Sequence, residues 1–177
     1  MKPSWRGALV VFAVALILRL AVFGVLPQRP HSENALGLYL PSAHSILTGE
    51  GFLTSAGTPN YEAGPMYPLF VAATWSIFGE NVQATQLVQV FVDALTPVVC
   101  YYLAGLVLGT GGALWGGLAV ATYPMLIWYS ARIVTEPLCT LFLSLGVFLF
   151  IKGYRSDKTA TLMLSAGFIA LSLPTSL

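Results

Sequence analysis

Charged and titratable side chains are scarce in this sequence, so their positions carry most of its chemical information: seven Asp and Glu, eight Lys and Arg, and two His in 177 residues. Two groups stand out. Five of the seven acids, Glu33, Glu50, Glu62, Glu80 and Glu136, sit in polar segments between apolar runs, where a carboxylate can take a proton or hold a cation. Solvation of those segments is the plain explanation, and an acidic active site at a membrane surface is the sharper one. The second group lies inside the apolar runs. Gln86, Gln89, Asp93 and Thr96 are spaced +3, +7 and +10, which sets them on one helix face within an arc of about 80°. An ionisable group in such a place needs a partner or a cavity. The set is therefore either a polar seam between helices or part of a cavity for a lipid-linked substrate. Arg19 poses a similar choice, between snorkelling to headgroups and meeting a phosphate in a cavity. Thr135 or Glu136 can cap the helix that follows, and Arg132 and Glu136 also fall on the same membrane face as the long segment 27–65.

The elements that must position these residues are membrane helices. Only 8% of the residues are charged and 56% are apolar, whereas soluble domains carry about 25% charged residues. The apolar runs fall at about 7–26, 82–108, 113–129, 137–151 and 160–173. They predict an all-α polytopic membrane protein with four or five transmembrane helices. The first run is read as a retained span, because it is too long for a signal core, Arg19 interrupts it, and no small-x-small cleavage site follows. Residues 66–78 are apolar but short and read as an interfacial or re-entrant helix. With that helix not spanning and the N-terminus cytoplasmic, Lys2, Arg6, Lys152, Arg155 and Lys158 lie inside and Arg29 and Arg132 outside, as the positive-inside rule prefers. The five glutamates then share the outer face of a multi-pass cell-membrane protein. A net charge of +1 gives no pull toward nucleic acid. Cys100 and Cys139 lie in apolar runs without the spacing of a disulfide framework or zinc site.

The outer loop, 27–65, is long enough to be functional. Leu36, Tyr39, Leu40, Ala43, Ile46 and Leu47 recur at helical spacing, predicting a short helix lying on the membrane surface. Pro41 kinks it, Gly49 and Gly51 stop it, and Ser42, His44 and Ser45 lie off the apolar stripe. Trp75 and Phe78 are expected at headgroup level.

The order of these features resembles the C-type integral membrane glycosyltransferases, in particular the protein mannosyltransferase and aminoarabinose transferase relatives. The matching stretches are Leu18-Arg19-Leu20, then Tyr39…Ala43…Ile46-Leu47-Thr48-Gly49-Glu50-Gly51-Phe52, then Gly64-Pro65-Met66-Tyr67-Pro68-Leu69-Phe70 and Phe78-Gly79. Tyr123-Pro124, Tyr129-Ser130 and Thr135-Glu136-Pro137-Leu138 follow. The resemblance implies a first outer loop with surface-lying helices over a cavity open to the bilayer. It also implies a sugar donor on polyprenyl phosphate and transfer with inversion. Its usual base is an acid early in the first outer loop, which points to Glu33. The Glu that such relatives use for a metal points to Glu62, with His44 and His31 as co-ligands. Such enzymes run to several hundred residues with more spans, so this chain reads as an N-terminal part. A C-terminal part or a partner subunit is the expected complement.

The chemistry that follows from the resemblance is simple. The leaving phosphate needs positive charge, for which Arg132, Arg29 and Arg19 are the candidates, assisted or replaced by a divalent metal ion. The acceptor hydroxyl must lose a proton to a carboxylate, Glu33 first and Glu62 second. Asp93, Gln89 and Glu136 are the expected polar residues of the cavity. The partners are then a polyprenyl-phosphate-linked sugar, the bilayer, and an acceptor that the residues do not identify. A non-catalytic scaffold binding prenyl lipid or a partner helix is the alternative. A transporter fragment would show inverted repeats, and none is found.

Overall fold

The structure is a computed structural model that describes residues 3–25 and 32–172. It is all-α, as the sequence predicts: eight α-helices and one π-helical turn account for most of the described residues. In order, α1 is Trp5–Val25, the π-helical turn Ala35–Tyr39, α2 Leu40–Thr48 and α3 Met66–Phe78. Then come α4 Val82–Asp93, α5 Thr96–Ala121, α6 Pro124–Ser130, α7 Glu136–Ser156 and α8 Thr159–Ser172. Stretches long and apolar enough to cross a bilayer are Trp5–Val25, Val82–Ala121 and Glu136–Ser156.

The longest of these does not run straight. Gly109 adopts φ 78° and ψ −176°, a region essentially confined to glycine, and there the chain doubles back. A Cβ on Gly105 would lie 3.4 Å from the Cβ of Ala113, and one on Gly116 would lie 2.5 Å from that of Ala104. In a straight helix those pairs would be separated by 8 and 12 residues, or about 12 and 18 Å. The two arms of α5, 96–108 and 110–121, therefore form an antiparallel hairpin whose small residues let the backbones touch. The second arm is shorter than the run 113–129 suggests. Tyr123 is extended ahead of Pro124, as a residue before proline prefers, so α6 starts as a separate helix. Pro97 similarly falls in the first turn of α5, just after the break at Ala94–Leu95.

α1 packs beside this hairpin through small side chains. Ala8, Val11 and Ala15 are buried, whereas Leu9 and Ile17 are 57% and 66% exposed. Small inside and large outside is the pattern of a helix whose outer face meets lipid. α7 and α8 form a second antiparallel pair, in which a Cβ on Gly146 would sit 2.6 Å from Ile169 Cγ1. Arg155 near the end of α7 donates to the carbonyl of Leu106, and Pro3 lies against Gly105. The start of α1, the α5 hairpin turn and the end of α7 thus share one end of the molecule.

The opposite end carries the loop elements. Pro41 lacks an N–H, so the carbonyl of Gly37, its partner in a regular helix, is left free. The chain takes a π-helical turn there, and Gly37 O accepts from Ser55 N at 2.9 Å instead. Ser42 and Ser45 are buried, because this face of α2 is covered by a small turn, 52–60. Ser42 Oγ donates to Leu53 O at 2.6 Å and Ser45 Oγ accepts from Leu53 N at 3.1 Å. Gly49 ends α2 in the left-handed region, at the expected stop. α3 runs antiparallel to α4, with Thr74 and Thr85 hydroxyls 2.8 Å apart. Trp75 belongs to the buried cluster of Ala43, Val71 and Ile133 and is not a headgroup anchor: it lies on the face of α3 that this cluster covers. Phe78, the last residue of α3, is 55% exposed.

Candidate functional site

A cavity of about 580 Å³ opens at the loop end of the molecule. Its polar wall combines Ser32, Asn34 and Tyr39 with Glu62, Thr135 and Glu136, and its apolar wall comes from α7 and α8, with Leu138, Phe142 and Leu171. Two carboxylates therefore face a space that is hydrocarbon-lined on the side of the spanning helices.

Each polar group is placed by backbone geometry that can be traced to sequence. Asn60, only 4% exposed, accepts from the N–H groups of Glu62 and Ala63 at 3.1 and 3.0 Å through Oδ1. Its Nδ2 donates to Ser42 Oγ at 2.8 Å. This Asx-type turn fixes Glu62 relative to α2. Glu136 opens α7, and its carboxylate lies in the first turn, where the helix dipole favours negative charge. No side-chain cap is made by Thr135; its hydroxyl lies 3.5 Å from Glu136 Oε2. Tyr39 and Tyr67 pack edge to face at 5.0 Å between ring centroids. Burial, the largest influence, pushes the Tyr39 phenol up from its usual range, so the hydroxyl stays protonated and able to donate at neutral pH.

Behind the cavity, α4 presents its glutamines to the turn that ends α6. Gln89 Nε2 donates to the carbonyls of Tyr129 at 3.2 Å, Ser130 at 3.0 Å and Arg132 at 2.6 Å. Its Oε1 accepts from Tyr67 OH at 2.7 Å. Gln86 Nε2 donates to Ala131 O at 3.0 Å. These carbonyls include the ones a helix C-terminus leaves unsatisfied. Further along the same face, Asp93 Oδ2 pairs with Arg19 Nε at 2.6 Å, both side chains fully buried. Arg19 also donates to Ala15 O and Ala121 O, each at 3.3 Å.

Several residues singled out in the sequence lie away from the cavity. Arg19 neither snorkels nor reaches it, since its guanidinium is bound inside the helix bundle. Asp93 and Gln89 belong to a polar seam between helices and not to the cavity lining. Arg132 stacks on Trp128, 4.4 Å from the ring centroid, a cation–π arrangement that turns it from the cavity. His44 Nδ1 is 2.7 Å from Glu80 Oε1 on the exposed surface and not beside Glu62. Glu33 is exposed, next to the lining residues Ser32 and Asn34. Arg29 and His31 fall outside the described residues. Among the described residues no three His, Cys, Asp or Glu side chains converge as a metal cluster. Glu62 and Glu136 are the two expected residues that the fold brings to the cavity. Asn60, Tyr67 and Asn34 were not singled out as site residues, and Thr135 only as a helix cap; an Asn two residues before Glu62 is a turn signal, whereas nothing local marks Tyr67 or Asn34.

Residues 62–175 match the sequence pattern of the family described as dolichyl-phosphate-mannose-protein mannosyltransferase. The chain belongs to this family. It is thereby a membrane glycosyltransferase family member of the C type, and its all-α fold with apolar helices agrees with that. The mannosyltransferase-family match begins at Glu62 and takes in Tyr67, Gln89, Thr135 and Glu136, while Glu33, His44 and Arg19 precede it. No curated protein and no solved structure matches the chain.

Proposed function

We propose that the cavity receives a sugar carried on polyprenyl phosphate, mannose by the family's name, and that the sugar is passed to an acceptor hydroxyl at the outer membrane face. The observation that carries this reading is the two-sided character of the cavity: carboxylates and hydroxyls on one wall, aliphatic and aromatic side chains of the membrane helices on the other. A prenyl chain and a sugar head ask for that division.

Glu62 is the proposed base. The acceptor oxygen attacks the anomeric carbon while the carbon–oxygen bond to phosphate breaks, and the polyprenyl phosphate leaves with the electron pair. The acceptor proton passes to Glu62, and a single displacement of this kind inverts the anomeric centre. Glu136 is the second carboxylate, and Tyr39 and Asn34 are donors and acceptors for sugar hydroxyls. Glu33, at the rim, is the alternative base. Among the described residues no Lys or Arg lines the cavity, so charge for the leaving phosphate falls to Arg29, three residues before Ser32, or to a divalent ion. Two carboxylates on one cavity suit a Mg²⁺-like ion, which keeps waters and takes remaining ligands from a substrate phosphate; they do not make a closed zinc site. Such an ion, if held by Glu62 and Glu136, would supply Lewis-acid stabilisation of the phosphate, and the base would then be Glu33.

The test uses the protein in native membranes with a radiolabelled polyprenyl-phosphate hexose. Glu62→Gln should lower transfer about 100-fold or more with insertion unchanged, and the same donor should protect Cys139, which lines the cavity, from alkylation. Full transfer by Glu62→Gln and by Glu33→Gln would remove the base assignment. Protection of Cys139 without turnover in the unaltered protein would instead indicate a prenyl-lipid-binding scaffold.

A further inference from the structure

We infer that Gln89, although outside the cavity, is a positioning residue that sets the separation of its two carboxylate-bearing walls. The inference rests on the reading of the cavity as the sugar-transfer site. One wall is the segment Glu62–Tyr67, leading into α3. The other is Val134–Glu136, leading into α7. The two are distant in sequence, and a buried amide bridges them beside a direct contact of the Tyr67 hydroxyl with the Val134 backbone. Gln89 Oε1 accepts from Tyr67 OH at 2.7 Å, while Nε2 holds the carbonyls of Tyr129, Ser130 and Arg132 at 3.2, 3.0 and 2.6 Å. Arg132 is only four residues before Glu136, and buried Ile133 between them adds no slack.

The arrangement asks more of Gln89 than helix packing requires. α3 and α4 are already joined by the Thr74–Thr85 hydroxyl bond of 2.8 Å at their other ends. α4 already meets the α6 turn through Gln86, which donates to Ala131 O at 3.0 Å. What Gln89 adds is a grip on both partners with one planar group. A planar amide fixes the direction of its acceptor relative to its donors, so the Tyr67 ring and the Arg132 carbonyl cannot shift independently. Tyr67 lines the cavity, and its ring contacts Tyr39, another lining residue, at 5.0 Å. The amide thus registers three parts of the cavity wall without touching the cavity. Small errors in such spacing weigh on the chemical step more than on ground-state binding.

Three variants in native membranes separate this role from plain stability. Gln89→Met keeps the volume and removes every hydrogen bond. Tyr67→Phe removes only the link between walls. Thr85→Val removes the remote α3–α4 bond. The rate of Cys139 alkylation reports cavity geometry without requiring activity, and steady-state transfer reports the chemistry. The expected result is a severalfold change in Cys139 alkylation for Gln89→Met and Tyr67→Phe, with kcat down about tenfold or more and donor KM little changed. Thr85→Val should leave both readouts at the unaltered level. The inference is overturned if Thr85→Val reproduces the two others, which would make Gln89 one helix-packing contact among several. It is equally overturned if Gln89→Met leaves alkylation and kcat intact. An unaltered protein that transfers no sugar, while Gln89→Met still changes Cys139 alkylation, would sink the sugar-transfer reading and keep the positioning of the walls.

Discussion

Arg19 and Asp93 show how a membrane interior handles charge when no water is at hand. Their side chains are fully buried and 2.6 Å apart, with carbonyls of Ala15 and Ala121 filling further donors of the guanidinium. Removing one partner leaves the other as an uncompensated buried charge, whereas removing both leaves an apolar site. Asp93→Ala should therefore destabilise the protein by roughly 3–5 kcal/mol, and Arg19→Met combined with Asp93→Leu should recover most of that loss. Thermal unfolding in detergent, followed by tryptophan fluorescence, checks both; a double variant no better than Asp93→Ala would mean the site needs its charges for more than mutual neutralisation. The spacing of Gln86, Gln89 and Asp93 marked the right face of α4, because a 3.6-residue period is a local property; Thr96, counted with them in the sequence, opens α5 beyond the break. The partners were not legible: Arg19 is 74 residues from Asp93, and no local pattern pairs them. The same limit explains the site. Glu62 and Glu136 were visible as loop carboxylates, but so were Glu50 and Glu80, and only the Asn60 turn and the start of α7 decide which of them face a cavity.

At the scale of elements, glycine decides where the apolar runs bend and how closely they pack. Gly109 carries φ 78° and ψ −176°, so any side chain there forces the hairpin out of its turn, at a cost of about 1–3 kcal/mol. Gly109→Ala should lower the unfolding temperature, and Gly111→Ala, where an added Cβ meets nothing within 4 Å, should not; equal effects would deny the turn its role. Gly146 has a different part. A Cβ there would press within 2.6 Å of Ile169 Cγ1 and 3.1 Å of Ile169 N, so backbone must yield. Ile169 immediately precedes Ala170 and Leu171, which line the cavity. Gly146→Val should therefore displace α8 and raise Cys139 alkylation, with Gly167→Val as the uncrowded control. The apolar runs themselves were readable because bilayer length sets a simple threshold. The breaks at Ala94–Leu95 and at Tyr123 sit next to Pro97 and Pro124 and could be read in part. The π-helical turn at Pro41 could not: it depends on Ser55, far along the loop, being available to the Gly37 carbonyl.

On the scale of the whole molecule, the fold sorts charge by its two ends, and that sorting is what an orientation in the membrane would act on. Arg155 binds the Leu106 carbonyl beside the Gly109 turn, with Lys152 and Lys158 close in sequence, and α1 begins at the same end. Glu62 and Glu136 face the cavity at the other end, where His44 and Glu80 also meet. Between the ends, Leu9, Ile17, Leu108, Phe150 and Leu164 are all at least half exposed, as side chains facing lipid are. Basic residues prefer the cytoplasmic side, so the cavity should open on the opposite face, where a prenyl-linked sugar would await its acceptor. Two single-cysteine sites placed outside the cavity decide this. Ala56 lies exposed in the 52–60 turn over α2, and Ser156 is exposed at the end of α7. With Cys100 and Cys139 replaced by Ser, Ala56→Cys should react with a membrane-impermeant maleimide in intact cells. Ser156→Cys should react only after permeabilisation. Labelling of both sites from one side is incompatible with α7 crossing the bilayer. The reverse pattern would place the carboxylate cavity in the cytosol, where a donor would have to be presented from the inner leaflet and the proposed outer-face transfer would fail on topology alone, however well the cavity suits its ligand.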